Sequence, residues 1–147
     1  LTADAVIAKV VSARLQASTD YLQAQDGDIY KAYRQLGLLP GVVPDLEQYQ
    51  IIADRVNARL LFTGIVLEMR EERGDHDSVN PVIVLELQIR DGRSGEVLWT
   101  TFHRRQGIDY KKTMHFGSIN TITGLSRRMV DEIISLWLKK GLIQCNV

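Results

Sequence analysis

The stretch from Leu60 to Gln106 limits the possible folds more than any other part of this chain, because the helical spacing of apolar residues gives way there to strand patterning. Ile83, Leu85, Leu87 and Ile89 alternate with Glu86, Gln88 and Arg90, the pattern of a half-buried strand. Asp91-Gly92-Arg93-Ser94-Gly95 follows, a turn rich in residues that tolerate positive φ, and it predicts a hairpin. Glu96 to Gln106 reads as the returning strand, with Val97, Trp99, Thr101 and His103 on one face and Leu98, Thr100 and Phe102 on the other. Leu60 to Arg70 reads as an earlier strand in which Gly64 marks a close backbone approach or a bulge. A polar loop from Glu71 to Asn80 is expected to join it to a strand opening at Pro81. Three sequential strands joined in this way form an antiparallel meander.

The rest of the chain has helical spacing. Thr2 is placed as an N-cap and Asp4 at the positive helix end, ahead of Val6, Ile7, Val10, Val11 and Leu15. Ser18 to Gln25 reads as a short strand around Tyr21 and Leu22 or as a loop. Asp28 is expected to cap a second helix carrying Ile29, Tyr30, Tyr33 and Leu36, closed by Gly37. Pro40 and Pro44 make the connector from Leu38 onward irregular. Asp45 then caps a third helix with Leu46, Tyr49, Ile52, Ala53 and Val56 on its apolar face. From about Asn120 to Lys140 a long helix presents Ile122, Leu125, Met129, Ile133 and Leu136, flanked by Val130, Ile134 and Trp137. An apolar stripe that broad predicts burial against a sheet. The expected fold is α/β of the α+β type. A three-stranded antiparallel meander within a small mixed sheet packs against helices, and the whole of residues 1–147 forms one domain. Leu1-Thr2-Ala3-Asp4 begins directly on a helix cap, which predicts that a further segment precedes this stretch in the native protein.

Charge separates along the chain although 18 basic and 18 acidic groups cancel. Residues 101–140 hold eight basic side chains against Asp109, Asp131 and Glu132, and the first 100 residues balance that excess. Two clusters follow as candidate surfaces. Glu71, Glu72, Asp75 and Asp77 form an acidic one suited to ligand binding. Arg104, Arg105, Lys111 and Lys112 form a basic one suited to assembly or docking. The basic cluster interleaves with Tyr110 and lies near Phe116, as in nucleic-acid binders. A pI near 7.0 argues against nucleic acid as a partner.

Motifs for catalysis and metal binding are missing from the sequence. His76, His103 and His115 do not pair at zinc spacing with one another or with Cys145. His76 between Asp75 and Asp77 is accounted for by a solvated acidic loop, and His103 beside Trp99 by a structural role. Glycine-rich phosphate loops and a G-x-S-x-G elbow do not occur. Glu68, Glu71 and Glu72 are carboxylates at a strand end, with no nucleophile, base and orienting group to complete a site. A non-enzymatic protein without cofactor or metal is therefore expected.

The order helix, strand ending in Thr63-Gly64-Ile65-Val66, hairpin Val84 to Trp99 and long terminal helix resembles one known arrangement. It is similar to the superfamily of bacterial envelope lipoproteins that includes the curli secretion channel, the penicillin-binding-protein activator LpoB and the Pel-type polysaccharide export lipoproteins. The resemblance runs from about Asp45 to Leu142. It implies an N-terminal strand and a lipid-anchor segment ahead of this stretch, and through that anchor a periplasmic, outer-membrane-associated address; Cys145 lies at the wrong end of the chain to carry it. Loops too short and polar for membrane hairpins favour the smaller members, the Pel type first. That choice implies a homo-oligomeric ring that assists secretion of a cationic exopolysaccharide. The alternative it implies is an envelope adaptor that activates a peptidoglycan synthase or another secretion component.

Overall fold

The computed structural model describes residues 2–111 and 117–141. In chain order these form α1 (Ala3–Ser18), α2 (Asp26–Gln35), α3 (Leu46–Arg55), β1 (Leu60–Arg73), β2 (Val79–Asp91), β3 (Val97–Gln106) and α4 (Ile122–Lys139). The three strands pair in the order β1-β2-β3, so the sheet is the expected antiparallel meander and the fold is α+β with a C-terminal helix. The described residues cluster into two compact units, one of residues 2–20, 64–86 and 101 onward, the other of 21–63 and 87–100.

In the first unit α1 packs against α4. Ile7, Val11 and Leu15 form the buried stripe of α1, and Leu125, Met129, Val130, Ile133, Ile134 and Trp137 that of α4. Thr121 caps α4 by accepting from the Gly124 N–H at 3.0 Å, and Thr2 caps α1 through the Ala5 N–H at 3.3 Å. Asp4 has a use beyond the helix dipole, since its carboxylate accepts the Val66 N–H of β1 at 3.1 Å. Val66 lies on an edge strand, where such a bond occupies a donor that would otherwise be open to another chain.

Alternation fails as a guide to burial in the first half of β2. Pro81, Val82, Ile83, Val84 and Leu85 are all buried, so both faces of the central strand are covered there. From Glu86 onward the expected alternation holds. The outer strand β3 keeps it from Leu98 to Arg105, with Leu98, Thr100, Phe102 and Arg104 exposed and His103 buried, whereas Val97, expected on the inner face, is exposed.

The second unit is organised around the hairpin and two packed helices, α2 and α3. Asp45 and Gln48 form a reciprocal capping box on α3, at 2.8 and 2.9 Å. The Asp91 carboxylate accepts the Arg93 and Ser94 N–H groups at 2.7 and 3.0 Å, which holds it below the usual carboxylate range. Gln50 of α3 donates to the carbonyls of the same two residues. Gly92 lies so close to the chain after α3 that a Cβ would sit 2.2 Å from the Ala58 carbonyl oxygen. Only glycine fits there. Arg90 stacks 4.2 Å above the Tyr49 ring and donates to the Gly95 carbonyl.

Several boundaries differ from the sequence reading. Strand β1 runs to Arg73, so Glu71 and Glu72 belong to a strand and the loop shrinks to Gly74–Ser78. A partly exposed edge strand tolerates charged residues, and Arg70 pairs with Glu68 and Glu72, two residues away on either side along the same strand face. Helix α2 begins at Asp26 rather than being capped by Asp28, because Gln25 closes its first turn through the Asp28 and Ile29 N–H groups. Tyr21 and Leu22 form no strand.

Candidate functional site

The predicted acidic cluster is divided by the fold. Glu72 is tied to Arg70, and Glu71, next to it in a strand, takes the opposite face. Asp75 and Asp77 lie in an exposed single turn around His76, in which His76 and Asp77 both have positive φ. Glu68 also bonds Arg70, which holds its carboxyl below the usual range. Among the described residues no group of three or more His, Cys, Asp or Glu side chains could hold a metal ion.

The predicted basic cluster also divides. Arg104 is on the exposed face of β3 and Lys111 is exposed after a single turn at Gly107–Tyr110, while Lys112 lies outside the described residues, as does Cys145. Arg105 faces the other way and joins an open groove on the first unit. His103, Arg105, Arg128, Asp131, Glu132, Ser135, Leu136 and Lys139 line it, and its volume is about 390 Å³. Glu132 is its electrostatic centre, 3.3 Å from Arg105 and 4.0 Å from Arg128. Arg128 also lies over the Tyr110 ring, 5.5 Å from its centroid. Burial first, and then the Glu132 carboxylate, push the Tyr110 hydroxyl far above the usual tyrosine range. Asp131 is held from the side of α1 by Arg14 at 2.5 Å.

His103 is buried, and its Nδ1 lies 2.8 Å from Thr101 Oγ1. Desolvation, helped by the Arg105 charge, lowers its pKa from the usual histidine value and so favours the neutral ring. Sequence reasoning found His103 and Arg105 separately and missed the groove. Its other wall comes from α4, more than 20 residues later.

The second unit carries a different kind of surface. Leu39, Val42, Val43 and Leu46 are all exposed, Leu39 at 71% and Val43 at 60%. Pro40 and Pro44 restrict the backbone between them. A turn closes from the Val42 N–H to the Leu39 carbonyl at 3.1 Å, and the Leu38 N–H returns to Tyr33 at 3.0 Å. The connector is thus a turn-shaped loop with four exposed aliphatic side chains within eight residues, and apolar exposure of this kind marks interaction sites. The sequence had shown it only as a break between helices.

No protein-family model matches the chain, and no curated protein is significantly similar to it in sequence. Solved structures do match. The hypothetical protein CT253 from Chlamydia trachomatis superposes with a TM-score of 0.55 over 99% of this chain and 87% of its own, at 15% identity. Lipoprotein GNA1162 from Neisseria meningitidis gives a TM-score of 0.53 over 87% of this chain and 81% of its own, at 14% identity. The chain shares their fold. The LpoB C-terminal domain from Salmonella enterica matches over a shorter stretch, 66% of this chain and 65% of that domain, with a TM-score of 0.48 and 16% identity. Among the described residues no helix is long and apolar enough to cross a membrane.

Proposed function

We propose that this chain is a non-catalytic adaptor of the bacterial envelope that docks another envelope protein on the apolar connector of its second unit. The connector carries the reading. Four exposed aliphatic side chains within eight residues, held by two prolines and two backbone bonds, form a surface that needs little ordering to bind. The fold shared with a lipoprotein supports an envelope address. A peptidoglycan synthase is the partner class taken from the family resemblance.

Charge segregation favours a second reading, a ring subunit of Pel-type polysaccharide export. The exposed Asp75–Asp77 turn and the exposed Arg104 and Lys111 offer opposite charges for copies to meet, or an acidic face for a cationic polymer.

One experiment separates the two readings. A photo-reactive residue at Val43, in the full-length protein in its native envelope, is expected to cross-link one foreign envelope protein, and Val42→Asp to abolish that adduct. Recovery of a peptidoglycan synthase supports the adaptor. Adducts only to further copies of the chain, or to export components, transfer the assignment to the ring. No adduct at all refutes docking through the connector.

A further inference from the structure

We infer that the groove on α4 is a second binding site, one that takes an acidic peptide segment of a protein partner through a single carboxylate and a neighbouring apolar side chain. Naming a protein as the source of that carboxylate rests on the adaptor reading, whereas the site itself rests on the groove.

The acceptors in the groove are already committed. Asp131 is held by Arg14 at 2.5 Å, and Glu132 is shared between Arg105 and Arg128. Donors remain in surplus. Arg128 stays 4.0 Å from Glu132, beyond hydrogen-bond reach, and Lys139 forms no ion pair among the described residues. Thr101 engages Nδ1 of His103, which leaves Nε2 as the remaining polar atom of a neutral ring. Leu136, 39% exposed, supplies an apolar wall between these polar groups.

Arg128, Glu132, Leu136 and Lys139 fall on successive turns of one helix face. From Arg128 to Lys139 the helix rises roughly 16 Å, about the length of five residues of extended chain. Lys139, one turn beyond Leu136, can therefore meet the carboxylate while Leu136 meets the side chain beside it, and Arg128 lines the far end of the groove along which the segment lies. The two carboxylates in the groove decide against a membrane surface or a polyphosphate, because each added negative charge would approach Asp131 and Glu132. One carboxylate next to an apolar residue incurs the least of that penalty.

The probe is a blocked five-residue peptide with one glutamate followed by leucine in an alanine background, titrated into the full chain and followed by NMR. Saturable shifts are expected at the His103 ring and the Ser135 amide. Affinity should fall at least tenfold when the peptide glutamate becomes glutamine, and also in Lys139→Gln, with a smaller loss in Arg128→Gln at the far end of the groove. Both variants alter exposed side chains, and circular dichroism checks their folding; if Arg128→Gln unfolds, Lys139→Gln decides alone. Equal binding of the glutamine peptide overturns the proposal. So does displacement of the peptide by inorganic phosphate, or co-flotation with phosphatidylglycerol vesicles that Lys139→Gln abolishes. Salt-sensitive self-association lost in Lys139→Gln would make a second copy the occupant and overturn the choice of a foreign partner. Failure of the peptide with the Val43 cross-link intact removes the groove and leaves the adaptor reading standing.

Discussion

The α4 groove and the Leu39–Leu46 connector are both open to solvent, yet they are built in opposite ways. In the groove, side chains do the organising: Arg14, Arg105 and Arg128 hold two carboxylates in place above a helix whose other face is buried. In the connector the backbone does it, through prolines and short-range N–H···O bonds, and the side chains are left with nothing to cover. A polar surface keeps its shape by spending its hydrogen-bonding groups on itself. An apolar surface can keep its shape only if the main chain beneath it is stiff.

The largest expected effect tests whether the groove depends on the core behind it. Trp137 is fully buried on α4, and Trp137→Ala should cost about 3–5 kcal/mol in urea unfolding. Loss of the His103 and Ser135 NMR signatures at the same time would show that groove and core are one structure. Gly92→Ala addresses the second unit. The added Cβ meets the Ala58 carbonyl, and a loss of roughly 1–3 kcal/mol is expected in the same assay. Protection of the amides in the connector should fall more than that of the α4 amides.

The smallest effect is a slope with pH. Burial lowers the His103 pKa in the folded state, so the unfolded chain takes up a proton first as pH falls. The stability of the neutral ring is complete above about 6.5 and declines below it, until the folded protein is protonated as well. Chemical denaturation between pH 5 and pH 7.5 should show stability rising with pH, less steeply in His103→Gln. An unchanged slope in that variant would mean that His103 is not desolvated by the groove. Connector variants such as Val42→Asp should leave this slope as it is.

Much of the fold was legible in the residues because the signals are local. The Asp45 N-cap, the Asp91 turn and the apolar stripe of α4 each rest on signals a few residues apart, and each occurs where the spacing placed it. The length of β1 was not legible. Glu71 and Glu72 read as loop until Arg70 is seen pairing along an exposed strand edge. Burial of both faces of β2 was hidden for a similar reason, since a Val-Ile-Val run does not say what packs on either side. The acidic cluster assumed that neighbours in sequence share a surface, and pleating places neighbouring strand residues on opposite faces.

By itself, then, the sequence determined the order of helices and strands, the Thr2 and Asp45 caps and the hairpin turn, because hydrogen-bonding geometry and side-chain period act over one or two turns of chain. Only the tertiary structure decided which charges meet. Arg14 and Asp131 are 117 residues apart, and Arg105 and Glu132 are 27 apart. Packing of α1 against α4 brings Arg14 to Asp131, and the approach of β3 to α4 brings Arg105 to Glu132. Contacts of that range depend on how buried faces fit together, which no window along the chain contains.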